Sequence, residues 1–143
     1  MYHTFYSFPL GKAWVKGYLF PLLILLLCIS CNKETKAERY AREARETTAL
    51  CPMAIDEVTV MDSLTYTPDT HCFTYYYKVS GIEDSLLRAN EESFRRQIID
   101  LILNSTDMIP YVKDGMTFRY VYRTSATGTP VMDIVYESSK EKE

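Results

Sequence analysis

Two pairs of strand-like segments flank one amphipathic segment, and this arrangement restricts the fold of the 143-residue chain more than any other feature. Residues 58–66 and 71–79 are rich in β-branched and aromatic residues, and the second segment alternates as a half-buried strand does. Residues 116–123 and 131–137 repeat the pattern, so we predict two β-hairpins. Between them, residues 83–104 place large apolar side chains on one face at helical spacing, which predicts the core helix. That face carries Leu87, Phe94, Ile98, Leu101 and Ile102.

We therefore predict an α+β domain over residues 51–137. A four-stranded antiparallel sheet in β-β-α-β-β order carries one core helix on one face. Side chains alternate between the two faces of a strand, so one aromatic set faces that helix. The set is Phe73, Tyr75, Tyr77, Phe118, Tyr120 and Tyr122. The pattern does not specify the strand order, and we expect the charged tail at residues 138–143 to be disordered.

Residues 1–30 have the layout of a signal peptide, in which two lysines are the only charged residues ahead of an apolar run at 18–29. The run is about a dozen residues long, whereas roughly 20 are needed to cross a bilayer. It ends in Cys-Ile-Ser-Cys at 28–31, which resembles a lipobox, the signal for cleavage before a cysteine that then receives lipid. We predict that Cys31 is lipidated and that the lipid bilayer is a partner. The first cysteine of this tetrapeptide stands where most lipoboxes have leucine, so an ordinary secreted protein cleaved nearby is the alternative.

Residues 31–50 join the lipidated cysteine to the domain and are rich in Lys, Glu, Arg and Ala. Their periodicity predicts a charged helix with a narrow apolar stripe of Ala37, Tyr40, Ala41 and Ala44. We interpret this helix as a tether that holds the domain away from the membrane. The alternative is that it rests lightly on the domain.

Charge and motif content argue against several functions. The chain has 16 basic and 19 acidic residues, and residues 1–30 contain two of the basic and none of the acidic ones, so the mature chain carries a net charge of about −5. Nucleic acid is therefore not an expected partner. After residue 30 there is no P-loop, nucleophile elbow or closely spaced metal-ligand motif, and we predict no enzymatic activity, no metal site and no cofactor.

The remaining thiols and the one histidine of the mature chain lie close in sequence. Cys72 follows His71 on a strand, so their side chains point to opposite faces and cannot form a nucleophile and base pair. Cys51 and Cys72 form either a disulfide, which an exported protein permits, or two buried free thiols. The sequence leaves both alternatives open.

A candidate binding face follows from the same alternation. Tyr76, Arg119 and Arg123 lie opposite the aromatic set, beside Lys78, and form an amphipathic surface if nothing covers them. Such a surface suits an envelope protein, a glycan or an anionic partner. The alternative is that the tyrosines are mainly core residues with hydroxyls at the rim.

Two rival functions remain. The first is a small-molecule carrier or an enzyme, in which the space between the sheet and the helix opens into a pocket lined by Tyr75, Tyr77, Tyr120 and Tyr122. The second is a structural or assembly subunit, in which an edge of the sheet pairs with another chain.

Four short segments follow one another along the domain: Cys-Pro-Met at 51–53, Met-Asp-Ser-Leu-Thr at 61–65, Phe-Thr-Tyr-Tyr-Tyr at 73–77 and Phe-Arg-Tyr-Val-Tyr at 118–122. With these segments the chain resembles small uncharacterised lipoproteins of Bacteroidetes-type bacteria. The resemblance covers residues 50–137. It implies an envelope location and this type of fold rather than an activity.

Two further details fit this resemblance. Asp-Ser-Leu at 62–64 and 84–86 is similar to the motif at which such bacteria O-glycosylate exported proteins, which implies Ser85, and less favourably Ser63, as acceptors. Asn32 differs from the aspartate that retains lipoproteins at the inner membrane of enteric bacteria, so we expect the outer membrane. The sequence does not specify the periplasmic or the surface side.

Overall fold

A computed structural model describes residues 33–138 of the chain. Its helices are α1 (Lys36–Ala49), α2 (Asp84–Ala89), α3 (Glu91–Asn104) and α4 (Ile109–Lys113). Its strands are β1 (Met53–Ala54), β2 (Thr59–Thr67), β3 (Cys72–Val79), β4 (Thr117–Thr124) and β5 (Pro130–Glu137). The predicted signal peptide, the lipidation site Cys31 and most of the charged tail lie outside the described residues.

The five strands form one mixed sheet in the order β1-β2-β3-β4-β5. The two predicted hairpins, β2 with β3 and β4 with β5, are antiparallel. In the centre, β3 pairs with β4 in parallel, with Phe73 opposite Phe118 and Tyr75 opposite Tyr120. The α+β class is therefore confirmed, but the expectation of four antiparallel strands is wrong in detail. The helical crossover returns the chain to the end where β3 began, so β4 must run in the same direction as β3.

The fifth strand and a break in the helix are the other differences from the prediction. β1 is only two residues long and pairs Met53 with Met61, which is too short for an alternating pattern. The predicted core helix is divided at Asn90, which ends α2 and begins α3. Within it, Ile102 is fully buried, whereas Leu101 is 63% exposed and does not belong to the core.

Helix α1 belongs to the domain, which corrects its interpretation as a tether. It begins with a capping box, in which the Glu38 amide donates to the Thr35 hydroxyl at 3.2 Å and the Thr35 amide donates to the Glu38 carboxylate at 2.8 Å. Tyr40 is 1% exposed and Ala44 is 3% exposed, because this stripe packs on the sheet. The stripe is narrow, but one buried aromatic ring supplies much of its contact area.

The main core lies between the helices and one face of the sheet. The predicted aromatic face is found here, with Phe73 and Phe118 almost completely buried. The buried members of this cluster are Tyr40, Ala44, Leu64, Phe73, Ile102, Met116, Phe118, Tyr120, Ile134 and Tyr136. A second cluster joins Val79, Leu87, Val131 and Met132 under α2.

Candidate protein-binding face

One face of the sheet carries no described helix, and we call it the open face. Tyr40 of α1, Leu87 of α2, Ile102 of α3 and Tyr111 of α4 all pack with side chains of the opposite face. Within residues 33–138 this leaves the other face of the central strands without a covering element. Register and alternation place on it Ser63, Thr65, Cys72, Thr74, Tyr76, Lys78, Thr117, Arg119, Val121, Arg123, Asp133 and Val135.

Arg119, one of the three predicted binding residues, is engaged within the face itself. Its guanidinium Nε donates to Asp133 Oδ1 at 2.8 Å, and a second nitrogen donates to the other carboxylate oxygen. This hydrogen bond holds the pKa of the Asp133 carboxyl below its ordinary value. Asp133 therefore neutralises Arg119. The sequence analysis missed Asp133, although the β4–β5 hairpin places it diagonal to Arg119, opposite Val121.

Arg123 has a different environment. Its guanidinium carbon lies 5.3 Å from the centroid of the Tyr76 ring, a cation–π arrangement across the central strands. Its Nε is buried and has no hydrogen-bond partner. Lys78, the strand neighbour of Arg123, is exposed. The structure thus brings Tyr76 and Arg123 together and leaves the positive charge of Arg123 without a carboxylate among the described residues.

Small side chains in the middle of the open face are buried. Val121 and Thr74, on adjacent central strands, are 4% and 6% exposed. Around them, the charged side chains, Thr65 and Val135 reach solvent, and the Tyr76 ring is partly exposed. A partner would therefore meet a surface with an aromatic and cationic centre rather than a cavity.

The tyrosines of the rival pocket hypothesis fill their own space. Tyr75 stacks on Tyr120 with ring centroids 4.9 Å apart, and Tyr77 stacks on Tyr122 at 5.0 Å. Burial raises the pKa of Tyr77 to about 12 and raises the pKa of Tyr75, Tyr120 and Tyr122 as well. The rings occupy the region that a ligand would need.

A groove of about 510 Å³ lies between α1 and the edge of β2. Its floor is formed by alanines of α1, and Arg45 is its one charged lining residue. The Thr48 hydroxyl donates to the Leu64 carbonyl at 2.7 Å and accepts from the Leu64 amide at 2.9 Å. Thr48 thus occupies hydrogen-bonding groups of a strand edge that β1 is too short to cover.

A smaller cavity of about 370 Å³ lies where the parallel strands β3 and β4 end. Here the Thr124 hydroxyl donates to Asp84 at 2.6 Å, and the Ser80 and Ser125 hydroxyls are 2.6 Å apart. These polar groups satisfy one another and join the two loops.

Both thiols are free in the structure, so the disulfide alternative is not formed. The Cys51 thiol donates to the Thr47 carbonyl at 3.4 Å. Cys72 lies on the open face and is 8% exposed, and burial raises the pKa of its thiol. His71 lies on the other side, where its Nδ1 is 2.8 Å from the Tyr66 hydroxyl, so it does not meet Cys72.

The two candidate glycosylation serines lie in different environments. Ser85 is exposed in the first turn of α2. Ser63 is half-buried in β2, opposite Tyr76 and next to a β-bulge. Within residues 33–138, no group of three metal-ligating side chains is arranged to hold an ion, and no helix is long and apolar enough to cross a membrane.

Comparisons with known proteins place the fold in context. The sequence profile of a domain of unknown function, DUF8479, matches residues 35–132. A search of curated protein sequences gives no match. Among solved structures, a candidate secreted protein from Pseudomonas aeruginosa is similar with a TM-score of 0.63 and 19% identity, covering 77% of this chain and 96% of that one. The pilotin of the type 2 secretion system of Vibrio vulnificus has a TM-score of 0.49 and 11% identity, covering 72% and 88%. The first similarity shows a shared fold.

Proposed function

Since the chain belongs to DUF8479, a domain family of unknown function, we propose its role from the site itself. The protein is a non-catalytic interaction domain that is anchored in the bacterial envelope through Cys31. It binds a partner protein on the open face. The location rests on the signal-like residues 1–30 and on the lipobox-like tetrapeptide that ends at Cys31. The outer membrane is the proposed site, because Asn32 follows the lipidated cysteine.

The observation that carries this proposal is the state of Arg123. A buried guanidinium nitrogen without a hydrogen bond is costly, and native proteins seldom leave such a group unsatisfied. Here it lies on the face that no described helix covers, stacked on Tyr76, while the neighbouring Arg119 has its own carboxylate. An acidic group of a partner would give Arg123 the interaction that Asp133 already gives to Arg119.

The chemistry of the centre defines the partner. Tyr and Arg are the residues that most often dominate protein interfaces, because each offers a large contact area and a polar group. Lys78 adds an exposed cation next to the partly buried Arg123. We therefore propose a protein segment with at least one carboxylate and an apolar neighbour that rests on the Tyr76 ring. A glycan is the other outcome that the experiment can reveal.

The test is site-specific crosslinking in living cells of the native bacterium. A photo-crosslinking amino acid replaces Thr65, an exposed residue of the open face that lies opposite Thr74. We expect a protein adduct that is lost in the double variant Tyr76→Ala, Arg123→Ala. The matched control, Arg88→Ala with Arg96→Ala, removes two exposed cations from helices on the other side and should leave the adduct unchanged.

Circular dichroism of each purified variant checks that the domain is folded. If the adduct survives in the double variant, or if the control loses it equally, the open face is not the binding site. An adduct that contains glycan and no protein would transfer the role to a glycan partner.

A further inference from the structure

The chain between the proposed anchor and the folded domain is very short. Glu34 is paired with Arg42 of α1 through two hydrogen bonds of 2.9 and 3.0 Å, so the fixed part of the domain begins at residue 34. Only residues 32 and 33 separate Glu34 from Cys31. A fully extended chain advances at most about 3.6 Å per residue, so Cys31 lies within about 11 Å of Glu34.

The first turns of α1 are fixed to the rest of the domain, so this short distance applies to the whole domain. The Tyr40 hydroxyl donates to Asp114 at 2.5 Å, and the Lys36 ammonium donates to the same carboxylate at 2.8 Å. The Tyr40 ring also packs edge-on against Phe73 with centroids 5.8 Å apart. The helix cannot swing away from the sheet without losing these contacts.

Several exposed groups share this end of the domain. Asp114 follows α4, so the end of α4 lies beside the start of α1, and the loop before α4 lies beside Arg39 and Glu43 in the next turns. Ile109, the first residue of α4, is 42% exposed. Arg39 is an exposed cation here, and Asp107 is an exposed carboxylate. We call these residues, Glu34 to Arg39 and Asp107 to Pro110, the anchor end.

We infer that the anchor end lies against the lipid headgroups, so that the domain sits directly on the membrane instead of standing away from it. The inference rests on the proposed lipidation of Cys31. Arg39 lies beside the loop that carries Ile109. An exposed apolar side chain near a cation is suited to the interfacial zone of a bilayer, where cations meet lipid phosphates and apolar groups reach the acyl boundary.

This orientation restricts the partner of the open face. β3 and β4 both start at the anchor end, because the amide of Thr117 donates to His71 at 3.0 Å and the His71 ring is 5.7 Å from Tyr40. Tyr76 is four residues along β3 from Cys72, about 13 Å at the usual rise of a strand. The partner must therefore present its acidic segment close to the membrane surface.

Tryptophan fluorescence provides the test, because the one tryptophan of the sequence is Trp14, in the segment removed with the signal peptide. Two reporters are introduced separately into the full-length chain, Ile109→Trp at the anchor end and Ala126→Trp in the exposed loop after β4. Ala126 lies just beyond the far end of β4, whose last residue, Thr124, is about 23 Å along the strand from Thr117. The lipidated proteins are purified from membranes and reconstituted in vesicles that contain lipids with a nitroxide on the headgroup.

We expect severalfold stronger quenching of Trp at position 109 than at position 126. Insertion of a ten-residue Gly-Ser segment between Asn32 and Lys33 lengthens the connection and should reduce the quenching at position 109. Equal quenching of the two reporters in membrane-bound protein would overturn the inference and leave the anchor intact. Absence of the chain from the membrane fraction, with no lipid found on Cys31 by mass spectrometry, would overturn both the anchor and the inference.

Discussion

Substitution of Tyr40 tests whether α1 is a structural part of the domain. The ring is 1% exposed and packs against the rings of Tyr66, Phe73 and Tyr111, with centroid distances of 5.5 to 5.8 Å. Replacement of a fully buried aromatic residue by alanine typically costs 3–5 kcal/mol, so we expect about that loss for Tyr40→Ala. A domain of this size is stable by roughly 5–15 kcal/mol, so the variant would be close to unfolding.

Tyr40→Phe separates the contribution of the hydroxyl from that of the ring. It removes the hydrogen bond to Asp114 but keeps the aromatic contacts, and we expect a loss of about 1.5 kcal/mol, the lower range for a bond to a charged group. Arg45→Ala, an exposed substitution on the same helix, is the control and should leave stability close to the wild-type value. The assay is urea denaturation of the mature domain, followed by circular dichroism. A loss for Tyr40→Ala no larger than that for Arg45→Ala would refute the reasoning, because a spacer helix gives that result.

Three further predictions concern the core and the open face. Ile102→Ala should lower the free energy of unfolding by about 2–5 kcal/mol in the same assay, whereas Leu101→Ala, one position away and 63% exposed, should change it little. A similar loss for the two variants would contradict this prediction. Because Arg119 lowers the pKa of Asp133 in the folded state, this pair stabilises the domain above the unfolded pKa of aspartate and loses that effect as pH falls through the lower folded pKa. Asp133→Asn should therefore flatten the acid limb of a stability-versus-pH curve, and an unchanged limb would contradict the assignment. The buried Cys72 thiol, with its raised pKa, should react with an alkylating reagent far more slowly in the folded protein than in denaturant. Mass spectrometry measures the two alkylation rates, and similar rates would show that the thiol is accessible in the folded protein.

The sequence predicted the strands and their faces well, because alternation in β3 and β4 records directly which side chains are buried. It did not predict that the two strands are parallel. That outcome depends on the path of the connection between them, since a helical crossover that spans the sheet once returns the next strand in the same direction. The helix between the hairpins implies the parallel pairing, because it connects β3 to β4 by crossing the sheet. Our prediction treats this helix only as a cover for one face of the sheet.

The packing of α1 was harder to predict for a different reason. Half of its residues are charged, and four of its five apolar residues are alanines, so the pattern alone resembles a solvated helix. What holds it is the complementary surface formed by Tyr66, Phe73 and Tyr111, which come from β2, β3 and α4. Such a surface exists only after the sheet has formed, and no local pattern within residues 36–49 reports it.

The open face shows how register changes the meaning of a residue. Arg119 and Arg123 are equivalent in the sequence pattern, since both follow the same alternation on β4. The β4–β5 register gives Arg119 a carboxylate, whereas Arg123 lies opposite Pro130 and meets no carboxylate of residues 33–138. Of the two predicted arginines, the site therefore keeps Arg123, which is stacked on Tyr76. If this is correct, Asp133→Asn releases Arg119 and should increase crosslinking to an acidic partner, while Arg119→Ala alone should change it much less than Arg123→Ala. The reverse order would show that Arg119 leaves Asp133 to bind the partner and that the pair is a latent part of the site.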